Sequence, residues 1–338
     1  MKNNSTQIQQ KKRLPEMDVM KGILSILVIL GHIIFWEQFV SGVELTSNAS
    51  INQNIFVAVW IAPYYMAAFF FVTGFCSSFK YDIKSQIISD AKHLLLPSIT
   101  IVAIMSGTVA LLGKDIGWSY AAPWFLWSMF WAKILFRVIT FFFRKEAVAW
   151  FFLVIMSIIG STMMYYMLEA NYLGYQQALV FPFFLALGHK ARSISIKSWV
   201  YYLAGGFYAL LTTMTFYILK WGFFNVSAFI SFSPEKWPVY ILLAASGSLG
   251  IAQISRLLSK SKVLQYIGRN SLIVYLMHGA FLIIVTSYLK SQIVQYNDNS
   301  TFQQYFFILV ALGALLWSCL WAWVLNLPYL RWLQGKFS

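Results

Sequence analysis

The sequence predicts an all-α fold, a polytopic transmembrane bundle of about ten spans with both termini in the cytoplasm. Three observations predict it. The 338 residues are 59% hydrophobic and only 11% charged, where a soluble domain carries roughly 25% charged residues. The apolar residues fall in runs of about the 20 needed to cross a bilayer. The basic residues concentrate in alternate connecting segments, the pattern that orients helices in a membrane. Too few polar residues exist to cover a water-soluble core of this apolarity, so the bilayer is the expected surrounding.

In chain order the runs predict spans over 20–40, 55–78, 94–112, 122–142, 148–166, 177–189, 198–218, 238–256, 270–289 and 302–326. The sixth is short and holds Pro182, which cannot donate a helical hydrogen bond. With the N-terminus inside, every one of the 25 Lys and Arg residues falls on the inner side except Lys114, Lys133, Lys220, Lys236 and Lys290. Lys133 lies within a span. An even number of spans returns Arg331 and Lys336 to the cytoplasm. The aromatic content of 19%, with 14 Trp and 19 Tyr, suits interfacial belts.

A net charge of +14 on a soluble protein would suggest nucleic acid; here the cations sit beside apolar runs and set topology, so no nucleic-acid partner is expected. Cys76 and Cys319 both lie in apolar stretches and read as buried free thiols. The first apolar run, from Ile23 to Trp36-Glu37, has no small-residue cleavage site and is not a removable leader. Residues 1–12 read as a disordered cytosolic tail, 13–330 as one transmembrane domain and 331–338 as a cytosolic C-terminal tail. Asn48-Ala49-Ser50 in the outer loop 41–54 fits a glycosylation acceptor pattern by chance.

Polar groups inside spans carry the functional signal, because each is expensive there. In the first span Asp18 and Lys21 are three apart and can pair on one face. Lys21 and His32 are eleven apart, about three turns and roughly 16 Å along the axis, with Ser25 on the same face. Gly22 and Gly31 allow a neighbour or ligand to approach. The bland alternative for His32 is an imidazole bonded to a neighbouring helix. Lys80 and Lys84 read as topology signals, whereas Lys92-His93 abut the next span and could meet phosphates at the cytosolic mouth. Trp124, in Pro123-Trp124-Phe125-Leu126-Trp127, reads as belt or as a stacking surface for a sugar. In the ninth span Asn270 or Ser271 would cap the helix, and Tyr275 and His278 share a face. His32, His93, His189 and His278 are far apart in sequence and lack the partners of a zinc site, so no metal is expected. No nucleotide-binding loop and no G-x-S-x-G elbow occur.

These residues, in order, resemble the membrane acyltransferase-3 family, and its fucose 4-O-acetylase-like branch in particular. The opening Arg13-x4-Asp18-x2-Lys21-Gly22 leads to Gly31-His32, and the family's basic-x10-His pattern falls on Lys21 and His32. A Phe-Phe-x-x-Ser-Gly-Phe segment falls on Phe69 to Phe75, with Thr73 for Ser. An Arg-Leu-Leu-x-Pro segment falls on His93 to Pro97, with His93 for Arg. Trp-Phe-Leu falls on Trp124 to Leu126, and Gly-x-x-Ser-Leu-x-x-Tyr-Leu-x-His on Gly268 to His278.

The resemblance implies transfer of an acyl group, usually acetyl, from cytosolic acyl-CoA to a hydroxyl of a cell-surface polysaccharide or its lipid-linked precursor. It implies a bacterial inner or plasma membrane. His32 is then the catalytic base, or carries the acyl group itself, with Asp18 positioning Lys21. Lys21, Lys92 and His93 hold the phosphates of acetyl-CoA, and Trp124, Tyr275 and His278 line the acceptor site. A different class, a transporter of a lipid-linked glycan or small solute, would use His32 and His278 as relays. The chain shows no inverted repeat of the kind many transporters carry.

Overall fold

In hydrocarbon a backbone N–H or C=O has no water to bond, so each segment must satisfy its own, and the helix does so along its whole length. The computed structural model describes residues 13–41, 59–77, 79, 82–111, 113, 124–166, 174–194, 196–219, 234–295 and 300–336, and among these it contains helices and no strand. The tail 1–12, the Asn48 acceptor pattern and Lys80, Lys114 and Lys220 lie outside the described residues.

The helices are α1 (Pro15–Ser41), α2 (Tyr65–Cys76), α3 (Ile83–Asp90), α4 (Leu96–Leu111), α5 (Trp124–Phe142), α6 (Glu146–Tyr166), α7 (Tyr175–Val180), α8 (Pro182–Ser193), α9 (Ser198–Thr213), α10 (Trp237–Leu257), α11 (Lys262–Arg269), α12 (Ser271–Gln295) and α13 (Ser300–Leu325). Six stretches among the described residues are long and apolar enough to cross a membrane: Val59–Cys76, Ile83–Leu111, Trp124–Phe142, Glu146–Tyr166, Pro234–Leu257 and Ile308–Leu325. The pair α11 and α12, bent by 81°, would make a seventh. The outer face of α13 shows what surrounds the bundle. Ile308, Leu312, Leu316 and Leu320 recur every fourth residue and are all exposed, an apolar stripe that water would not tolerate at this length.

Two boundaries differ from the sequence expectation, each for a local reason. The expected span 177–189 divides at Phe181 into α7 and α8, because Pro182 at the start of α8 has no N–H to continue the ladder. The expected span 94–112 begins earlier, at α3, where the Asp82 carboxylate accepts the Ser85 N–H at 3.1 Å and caps the helix. That bond holds the exposed Asp82 carboxyl below its ordinary range. Between α3 and α4 the backbone widens to a π-segment, Ala91–Leu95, just ahead of Pro97. At the C-terminal end, Arg331–Gln334 forms a 3-10 turn, and the Leu333 carbonyl accepts from the Thr100 hydroxyl of α4 at 2.7 Å.

α1 is the hub, packing against α2, α10, α11, α12 and α13. Two crossings bring backbone onto backbone. At α1–α11, a Cβ on Gly22 would strike the Leu264 carbonyl and one on Gly268 would strike that of Asp18. At α2–α8, a Cβ on Gly74 would strike Leu185 and one on Gly188 would strike Phe71. Paired small residues are how helices associate where lipid removes the hydrophobic drive between them. The Phe69 to Phe75 motif is therefore a packing motif here: Phe70 is fully buried and stacks on Phe181 at 4.2 Å between centroids.

Candidate functional site

Lys21, Ser25 and His32 all lie on α1. Ser25, between Lys21 and His32, donates its hydroxyl to the Lys21 carbonyl at 2.8 Å. The His32 Nδ1 lies 2.8 Å from the Val28 carbonyl oxygen. A carbonyl only accepts, so Nδ1 carries the proton and the neutral ring keeps its lone pair on Nε2. On α12, His278 repeats the arrangement, with Nδ1 3.1 Å from the Val274 carbonyl. The two rings meet edge to face, centroids 4.8 Å apart and planes at 68°. His278 is buried at 4% exposure, whereas His32 is partly exposed. One imidazole is thus presented, and the other packs against it. The Nδ1 partner of His32 belongs to its own helix, and its contact with the neighbouring α12 is the ring packing on His278.

Aromatic contacts continue outward from this pair. The Tyr275 ring lies 6.0 Å from His278 and 5.1 Å from Phe125 of α5, and Phe125 lies 6.0 Å from Trp124. Four expected residues, His32, His278, Tyr275 and Trp124, therefore join one continuous chain of rings drawn from α1, α12 and α5. Phe125 is the link, and no spacing in the sequence marks it as one. Tyr65 of α2 is another: its hydroxyl end lies 3.8 Å from where a Cβ on Gly31 would stand, one residue before His32.

The charged end of α1 corrects one expectation. Asp18 does not pair with Lys21. Its buried carboxylate accepts from Arg13 Nε at 2.7 Å and from Arg269 Nε of α11 at 3.3 Å. The α1–α11 glycine crossing brings Arg269 to it, which no local spacing could reveal. Arg13 and Arg269 stay well exposed, at 63% and 49% of their side chains. The C-terminal turn adds Arg331, bonded to the Asn326 carbonyl at 2.9 Å, and Lys336, bonded to Gln334 at 2.7 Å. Both take neutral acceptors. Burial, then repulsion from Arg331 and Arg13, pushes the Lys336 ammonium below its ordinary value. Asp18 thus meets two of these cations, with Glu16 the other carboxylate in the first turn of α1.

Lys92 and His93 lie exposed on the π-segment. The His93 Nδ1 donates to the Ser89 carbonyl at 2.7 Å. Gly335, at φ +71°, packs its backbone directly on the Lys92 carbonyl, which ties this segment to the C-terminal turn carrying Arg331 and Lys336. Asn270 holds the 81° bend. Its carbonyl accepts from Val274, as a cap residue's should, but its side chain serves other elements, donating to Tyr266 and accepting from Asn326 at 2.7 Å. Among the described residues no group of three or more His, Cys, Asp or Glu is arranged to hold a metal ion.

The arrangement offers a basic nitrogen in an apolar, aromatic-walled interior and, about three turns away along the same helix, a cationic surface suited to phosphates. A family model described as an acyltransferase domain matches residues 14–327, nearly the whole chain. No curated protein and no solved structure matches it.

Proposed function

The chain belongs to the acyltransferase-3 family and is a membrane acyltransferase, and from that premise we propose that it moves an acetyl group from cytosolic acetyl-CoA to a hydroxyl of a cell-surface glycan or its lipid-linked precursor. The observation that carries the reading is the apposition of His278 of α12 on His32 of α1, the helix whose other end meets the cations. In this reading the chain crosses a bacterial inner or plasma membrane about ten times, with both termini inside, as the distribution of basic residues supports. The fucose 4-O-acetylase-like branch is the closest fit to the motifs.

The donor's phosphates are held by Lys21, Lys92 and His93, with Arg13, Arg269, Arg331 and Lys336 supplying the surrounding field. Asp18 acts by positioning the two arginines. The thioester reaches along α1 to His32. The acceptor hydroxyl gives its proton to the His32 Nε2 as its oxygen attacks the thioester carbon; the C–S bond breaks, CoA leaves as thiolate, and the proton on His32 passes to it. The Val28 bond fixes the competent tautomer, and His278 limits the tilt of the His32 ring. Trp124 and Tyr275 form the apolar wall against which a sugar face stacks.

The test is CoA release from acetyl-CoA by the purified protein in detergent, alongside solute flux in liposomes. Acetyl-CoA-dependent CoA release supports the acyltransferase reading with acetyl as the donor group. Flux without CoA release or CoA binding would instead support a transporter.

A further inference from the structure

One buried pair takes no part in the chemistry above. Lys133 stands in the middle of α5, and its ammonium forms an ion pair with Asp90. Both residues are buried, at 8% and 5% exposure. Gln86, one turn earlier on α3, donates its Nε2 to the second Asp90 oxygen at 2.9 Å. Asp90 is the last residue of α3, and the π-segment Ala91–Leu95 begins directly after it.

A buried ion pair is a poor device for stability alone, because its desolvation offsets its attraction and a well-packed apolar pair serves as well. What it supplies that an apolar pair cannot is direction. A π-segment replaces four-residue bonds by five-residue ones, so the residues on it are rotated from where a continuous α-helix would carry them. Leu96 N–H takes the five-residue bond, to Ala91. The helix rotation at this point decides where Lys92 and His93, two and three residues beyond Asp90, face.

We propose that Asp90 and Lys133 are a positioning pair that fixes the rotation of the π-segment and so aims Lys92 and His93 at the donor. This rests on the reading of those two residues as donor contacts. The pair clamps the segment from the α5 side, and Gly335 on the Lys92 carbonyl clamps it from the other. Neither Asp90 nor Lys133 touches the donor itself.

The experiment uses the full chain in detergent and compares wild type with the double variant Asp90→Leu/Lys133→Met and the swapped pair Asp90→Lys/Lys133→Asp. The double variant is expected to melt within a few degrees of wild type, to show about a tenfold higher KM for acetyl-CoA, and to keep kcat within about twofold. The swap restores the attraction and is expected to return KM to within about threefold of wild type. Gln86→Leu, which leaves the ion pair and removes one bond, is expected to raise KM about twofold; it decides the matter if neither double variant folds. A folded double variant with wild-type KM, or one whose kcat falls while KM stays, overturns the positioning role and leaves the donor reading intact. If wild type itself neither binds nor turns over acetyl-CoA, the donor reading fails and this role falls with it.

Discussion

The two ends of the α1 stripe solve opposite problems with the same helix. Around His32 the two imidazoles are each bonded to their own helix: His32 to Val28, His278 to Val274. Around Asp18 the groups are charged, come from three distant parts of the chain, and are left incompletely neutralised. In the topology proposed above, the difference follows from depth. Mid-membrane, an unsatisfied or charged group costs several kcal/mol, so reactive nitrogens are kept neutral and locally satisfied. At the boundary, water carries that cost and an excess of positive charge can be kept for an anionic ligand. In the proposed function, chemistry and donor binding are thereby separated along about 16 Å of one helix.

This separation is open to attack from either end. The largest effect should come at the centre. His278→Ala removes the ring that limits His32, and kcat is expected to fall about 10²-fold with donor KM unchanged, since small misplacements at a reacting centre are that expensive. Steady-state kinetics in detergent would show a KM change instead if His278 belonged to the donor end.

Next comes the hub of the charged end. Asp18→Asn leaves Arg13 and Arg269 without their carboxylate and is expected to destabilise the fold by about 1–3 kcal/mol, read as a lowered melting temperature. Lys21→Gln should raise donor KM about tenfold, the equivalent of 1.4 kcal/mol, with kcat retained and the effect shrinking as salt is added. An equal loss at high salt would remove Lys21 from phosphate binding.

The smallest effect concerns pH. Lys336 is held below its ordinary pKa by burial and neighbouring cations. A bound phosphate would relieve that repulsion and raise it, so binding takes up protons. Donor affinity should therefore fall as pH rises through the depressed value, and Lys336→Met should flatten that dependence. Calorimetric titration of CoA at several pH values reads both.

The same contrast explains what could be read from residues alone. The helices, the Lys21 to His32 stripe and the Tyr275–His278 face are periodic within one element, and the period of the helix is enough to place them. The His32–His278 apposition joins residues from the two ends of the chain. It depends on the glycine crossing of α1 on α11 and on the bend at Asn270, neither of which has a spacing to read. The Asp18–Lys21 pairing fails for the same reason: two guanidinia, one of them delivered by that crossing, outcompete an ammonium three residues away. Phe125 and the π-segment lay within quoted motifs, yet only packing distinguishes a ring that links the site from one that fills a core.

The most direct measurement follows acetyl-CoA binding and CoA release together in wild type and His32→Ala, both shown to be folded. The account predicts that the variant binds acetyl-CoA with near wild-type affinity while its CoA release falls about 10²- to 10⁴-fold. Release at the wild-type rate by His32→Ala would contradict it and remove His32 from the chemistry.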